Sequence, residues 1–188
     1  MAGEEHVSEA AGLDGRPGAG GFAAVDVAYP ASGGAQAAIV ITSGPDFADV
    51  AAEGIATLPE ASPYRPGRFF ERELPALRAV LAPAGPLRLV VVDGYADLDP
   101  DGRPGLGAWV HAEFGVPVIG AAKSFFRTAT HAVPVSRGSS RRPLFVTSAG
   151  LPRPEAAELV QDMAGRFRIP DALRRADALA RGRPAPRR

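Results

Sequence analysis

The sequence predicts an α/β protein: a mixed sheet in which three antiparallel strands precede parallel ones, flanked by helices. Three observations carry this. Residues 87–94, Leu-Arg-Leu-Val-Val-Val-Asp-Gly, form a near-continuous apolar run rich in β-branched side chains that ends in a carboxylate, the pattern of a strand covered on both faces. Three strand-like runs ahead of it are joined by short polar connections, which favour antiparallel neighbours. Helical patterns then flank residues 87–94, as crossovers between parallel strands require.

The first strand covers residues 22–29 and carries Asp26 at its centre, where a buried carboxylate needs a cation or donors nearby. After a turn at 30–34 the second strand is expected at 37–42 and the third at 50–58. Residues 59–67, with Pro63, Tyr64 and Pro66, are too stiff for a linker and form a shaped loop. A helix over 68–81 follows, with Leu74, Leu77 and Leu81 on one stripe; Pro75 requires that it begin late enough to hold the proline in its first turn. Glu73 then lies near the helix entry. The central strand ends at Asp93 and Gly94, so the carboxylate emerges at a strand's carboxyl end, where open α/β sheets bind ligands. A helix at 106–114 leads to another buried strand at 116–123, ending in Lys123. The stretch 127–143 is basic and without periodicity, and a last strand is expected at 143–148. A helix at 154–167 has Pro154 in its first turn and Ala156, Leu159, Val160 and Met163 inward; a short helix from 170 to 179 closes the fold. Three meandering strands, then helix, parallel strand and helix, is the order of a ribonuclease H-like sheet.

The 188 residues suit one domain, expected over 22–179, with a disordered leader at 1–21 and a basic tail at 180–188. There is no cysteine, which excludes disulfides, thiolate metal sites and a cysteine nucleophile. The first residues are acidic, without an apolar signal region, and no apolar run is long enough to span a membrane, so a cytoplasmic protein without membrane partners, and a monomer, is expected. Charge is segregated along the chain. Residues 1–60 hold nine acids and one base, whereas residues 123–188 hold five acids and fourteen bases, a distribution suited to a phosphate-binding face or to simple solvation. Lys123 is the only lysine, against twenty arginines. Where coding pressure favours arginine, a lysine kept at the end of a buried strand points to a need for a compact charge.

Asp26 and Asp93 on neighbouring strands, with Glu73 from the intervening helix, form a carboxylate set suited to Mg²⁺ or Mn²⁺, cations that bind through oxygen and retain waters. Phosphodiester hydrolysis assisted by such a metal is the natural chemistry. The same residues sit in co-linear motifs: Val25-Asp26-Val27-Ala28-Tyr29; Pro63-Tyr64-Arg65-Pro66-Gly67, followed by Arg72-Glu73 and Pro75-Ala76-Leu77; Val92-Asp93-Gly94; and Pro117-Val118-Ile119-Gly120-Ala121-Ala122-Lys123. In order and spacing they resemble the motifs of the endonuclease V family over residues 22–170.

The resemblance implies a ribonuclease H-like fold and a Mg²⁺-dependent DNA-repair endonuclease that recognises deoxyinosine in DNA, or inosine in RNA, and cuts the second phosphodiester on the 3′ side. It implies Asp26, Glu73 and Asp93 as metal and water ligands, Lys123 at the reacting phosphate, and Tyr64 and Pro66 as a wedge filling the stack vacated by an extruded base. It also implies Gly67 and Gly94 beside the extruded base and Arg72 as a substrate contact.

Two departures stand out. The family's loop after the central aspartate carries histidines and basic residues, whereas this chain has Gly94-Tyr95-Ala96-Asp97-Leu98-Asp99-Pro100-Asp101, whose three acids would repel phosphate. These acids mimic the start of a calcium loop, but Ala108 stands where its bidentate glutamate belongs. The family's metal-site histidine also has no counterpart at 148–151, leaving Glu155, at the start of a helix, as a substitute ligand or a helix-dipole acid. His111 and His131 are read as surface residues. Three functions remain: a divergent nuclease, a nucleic-acid-binding module of the same fold that has lost efficient cleavage, or an enzyme of unrelated substrate built on the same scaffold.

Overall fold

The structure, a computed structural model, describes residues 20–63, 65 and 68–184. Most of the expected leader and the last four residues of the tail lie outside the described residues. The elements run β1 (Gly21–Ala28), β2 (Ala35–Thr42), β3 (Val50–Leu58), α1 (Phe69–Leu81), β4 (Leu87–Val92), α2 (Leu106–Phe114), β5 (Val118–Ala122), β6 (Val133–Val135), β7 (Leu144–Ala149), α3 (Arg153–Asp162) and α4 (Asp171–Ala180). They build one seven-stranded sheet in the order β3-β2-β1-β4-β5-β7-β6. The first three strands are antiparallel neighbours, β4 joins β1 in parallel and β5 joins β4 in parallel. β7 then runs antiparallel to β5.

Strand alternation divides the apolar residues between two cores. Phe22 and Ala24 of β1, Leu89 and Val91 of β4, and Ile119 and Ala121 of β5 face α3 and α4, packing with Ala156, Val160, Leu173 and Ala176. The intervening Ala23, Val25, Val90, Val92 and Val118 face α1 and α2, against Ala76, Leu77, Val80, Leu106 and Val110. Each large side chain buried this way contributes about 1.5–3 kcal/mol. Because both faces are covered, β1, β4 and β5 can be apolar almost throughout, and a charge at their ends stands out against the pattern.

The structure corrects three expectations. Pro75 is the seventh residue of α1, beyond its first turn. It lies on the exposed side, where water can satisfy the carbonyl its missing N–H leaves free. α3 stops at Asp162, well short of residue 167. The buried Arg137 guanidinium accounts for this end, donating to the carbonyls of Val160, Met163 and Gly165 and so replacing the next helical turn. β6 lies inside the stretch read as aperiodic: a three-residue edge strand around Pro134 has no period to detect.

Candidate active site

The parallel register fixes the site. Val25 pairs with Val92 and Val92 with Gly120, so the chain leaves β1, β4 and β5 at the same end of the sheet. Asp26 follows Val25, Asp93 follows Val92, and Lys123 follows the last residue of β5. All three continue the alternation of Phe22, Leu89 and Ile119, toward the α4 face. Lys123 Nζ donates to Asp93 Oδ2, and the Val27 N–H donates to Asp26 Oδ1 at 2.8 Å. Glu73 arrives from α1 on the opposite face and is buried, with the Tyr29 hydroxyl 3.5 Å from its Oε1.

Gly120 lets the loop after β4 sit against β5. A Cβ there would stand 2.4 Å from the Ala96 nitrogen and 2.7 Å from the Gly94 oxygen. The Ala96 N–H is held by Thr147 Oγ1 at 2.7 Å, which ties this loop to β7. Gly94 takes φ +145°, a conformation open to glycine, and its carbonyl packs over Gly120.

Crowded acids dominate the electrostatics. Burial, then Asp93, pushes the Asp26 carboxyl up to about 7, against the pull of Lys123. Burial, Asp26 and Asp93 push Glu73 up to about 9. Burial works to lower Lys123, but Asp93, Asp26 and Asp177 outweigh it and hold the ammonium above its ordinary value. The fold has brought together more negative charge than Lys123 neutralises.

Asp177 is a member of the site that sequence reasoning missed. α4 packs on β1 and β2, with Leu179 and Ala180 against Ala28 and Ala38 and the Leu179 carbonyl held by Gln36 at 3.0 Å. This brings Asp177 beside Asp26 and Lys123. Burial opposes its ionisation, yet Arg181, 2.8 Å away, and Lys123 keep Asp177 below the ordinary carboxylate value. Glu155 is not brought to the cluster. β7 is antiparallel to β5, with Ala149 opposite Val118, so the chain enters α3 at the other end of the sheet from Lys123.

Arg72, expected as a substrate contact, comes to lie on Tyr29. Its guanidinium lies over the Tyr29 ring, 3.6 Å from the centroid, so it supports the residue that touches Glu73. Tyr64, Pro66 and Gly67 lie outside the described residues. Neither histidine expected at the surface is free there. The His131 side chain is 7% exposed with Nε2 3.1 Å from Asp97, and His111 Nδ1 lies 2.7 Å from the Val116 carbonyl.

A cleft of about 450 Å³ opens over the carboxylates, bounded by Asp26, Glu73, Asp93, Lys123 and Arg181 and walled by Phe69, Phe70, Tyr95, Leu98 and Phe126. Such a cleft can hold a flat ring against aromatic walls beside a charged floor. Among the described residues no three His, Asp or Glu side chains stand close enough to share a cation as placed, since Lys123 engages Asp93 instead. The donor set is nonetheless all hard oxygen with excess negative charge. It fits Mg²⁺ in kind, because that ion is usually held by one or two carboxylates with waters completing the shell.

The sequence model of the endonuclease V family matches residues 13–153. The chain is 34% identical over 187 residues to an endonuclease V of Azotobacter vinelandii, spanning 87% of this chain and 83% of that one. It is similar to the crystal structure of endonuclease V from Streptomyces avermitilis, at TM-score 0.73 and 30% identity over 88% of this chain and 82% of that one. The fold also matches Ciona intestinalis endonuclease V, solved with a 24-mer DNA containing an inosine followed by a ribo-adenosine, at TM-score 0.69 and 17% identity over 87% and 85% of the two chains.

Proposed function

The chain belongs to the endonuclease V family, and from that premise we propose that it is a Mg²⁺-dependent endonuclease, hydrolysing the second phosphodiester 3′ to deoxyinosine or inosine. The observation that carries the reading is the meeting of Asp26, Asp93 and Lys123 at one sheet end with Glu73 beneath them. Asp26, Asp93 and Asp177, with Glu73, would hold the cation. Bound there, it supplies an acidified water and charge for the leaving oxygen. Burial, then Asp26 and Asp93, push the Glu73 carboxyl up to about 9 while no cation is bound; a cation there would displace that proton and leave Glu73, touched by the Tyr29 hydroxyl, as a carboxylate that helps hold it. Lys123 lies on the cleft floor within reach of a phosphate oxygen, and Tyr95, Phe126 and Phe69 offer faces for an extruded base.

The ion pair between Lys123 and Asp93, which ties up one of the site's carboxylates, favours the second reading, a nucleic-acid-binding protein without efficient cleavage. One experiment separates them. End-labelled single- and double-stranded oligonucleotides with one deoxyinosine or inosine are incubated with Mg²⁺, Mn²⁺ or EDTA, using the wild type and Asp93→Ala. A metal-dependent cut one nucleotide beyond the inosine, lost in the variant, is expected. Binding without any cut on any substrate would select the second reading.

A further inference from the structure

Beyond the carboxylate cleft, the surface carries a second feature that the reaction itself does not use. A groove of about 290 Å³ begins at Lys123 and passes Leu173, Arg174, Asp177 and Arg183. A further hollow of about 360 Å³ shares Ile169 and Arg174 with it and ends at Ser140, Arg166 and Phe167. Lys123 also lies on the floor of the main cleft, so the three hollows share lining residues in succession along this face. At its far end Phe167 is 44% exposed, with the guanidinium carbons of Arg174 and Arg166 over its ring at 4.4 and 5.0 Å. Arg168, which lines the second hollow, donates to the carbonyls of Lys123 and Pro143.

We propose that this path is a binding track for the single nucleic-acid strand on one side of the scissile phosphate, with Arg174, Arg183 and Arg166 meeting its phosphates and the Phe167–arginine stack meeting a base. It rests on the nuclease reading only for the placement of that phosphate. Single strands are held by the combination present here, a positive groove with a flat stacking element, because every base has a π-face and every residue a phosphate. Arginine serves both parts, stacking on rings and pairing with phosphate. Asp171, 3.1 Å from Arg174, and Asp177, paired with Arg181, are the acids that temper the path, and Arg166 and Arg183 are exposed along it.

The test is fluorescence anisotropy in EDTA, using the full chain and labelled single strands with one deoxyinosine, lengthened one nucleotide at a time on either side. Extension on one side only should tighten binding to a plateau. Phe167→Ala should weaken the longest strand about tenfold and leave the shortest unchanged, with Phe167→Trp restoring the gain. Arg166→Gln, an exposed change, should reduce the slope of log affinity against log salt by about 0.7. Affinity independent of length, absent at every length, or unaltered in both variants would overturn the track. Cleavage of the shortest strand in Mg²⁺, equal in wild type and Phe167→Ala, reads the nuclease function separately.

Discussion

Glu73 makes the metal-free protein pay for its site, and Glu73→Gln should reveal how much. In the unfolded chain this carboxyl ionises near its ordinary 4.5; in the fold, burial and the charges of Asp26 and Asp93 move it to about 9. Between those values the folded state holds a proton that the unfolded state has released, so stability falls as pH rises. The slope is about 1.36 kcal/mol per pH unit, levelling off above the folded value. At pH 7 the loss relative to pH 4.5 is therefore about 3 kcal/mol. Glutamine cannot ionise and can still accept from the Tyr29 hydroxyl, so the variant escapes the loss. Asp26 titrates in both proteins and cancels to first order. Urea unfolding in EDTA should show the two proteins converging at pH 4.5 and the variant ahead by about 3 kcal/mol at pH 7. Added Mg²⁺ should then stabilise the wild type more than the variant, and more strongly at high pH, where no proton must be displaced. A difference independent of pH, or a variant less stable in EDTA at pH 8 than at pH 5 relative to wild type, would refute the reasoning.

Three further outcomes follow from the geometry. Asp177→Ala should raise the Mg²⁺ concentration needed for half-maximal cleavage about ten- to a hundredfold, whereas Glu155→Ala, at the other end of the sheet, should leave the titration unchanged. Gly120→Ala, whose Cβ would stand 2.4 Å from the Ala96 nitrogen, should lower stability by about 1–3 kcal/mol and reduce cleavage together with it, as read by urea midpoint and gel assay. Arg137→Ala strips the end of α3 of its donors and should cost about 3 kcal/mol in urea unfolding while cleavage at low temperature persists.

What the sequence made legible follows the reach of its signals. β4 is bounded by a buried apolar run and α2 by Gly115, which takes φ +66° as its left-handed cap, so local pattern alone located both. Asp93 and Lys123 stood out because each ends an apolar strand, and Asp26 because it interrupts one. Asp177 did not. It lies on a short helix rich in acids and arginines, one turn before Arg181, and only the packing of α4 across β1 gives it a role. Its one sequence signal is its place beside Ala176 and one turn after Leu173, at the border of the buried stripe. Arg137 was equally hidden, since within a basic stretch a buried arginine looks like its exposed neighbours.

The acidic loop after β4 is the sharpest departure from the family pattern, and the structure changes its meaning. Three aspartates so near a phosphate site would repel the substrate if they faced it. Instead Asp97 turns to His131, and Asp99 accepts from the Arg103 N–H at 2.9 Å and lies 3.8 Å from its side chain. The loop closes on itself through Leu98 N–H to the Arg103 carbonyl at 2.8 Å and Gly102 N–H to the Asp99 carbonyl at 3.1 Å. What it presents to the cleft is Tyr95 and Leu98. The Tyr95 hydroxyl donates to the Ser124 carbonyl at 2.8 Å and accepts from the Phe126 N–H at 2.9 Å, fixing the opposite wall. At this position the loop offers the cleft stacking surface and shape rather than charge. Positive charge for the strand must then come from elsewhere, and the supply on this side of the sheet is Lys123 and the arginines of α4 and the loop before it. Of the site's acids only Asp26 lies in the acid-rich first sixty residues; Glu73 and Asp93 come from the middle of the chain, and the late helix brings Asp177 together with the arginines of the base-rich end.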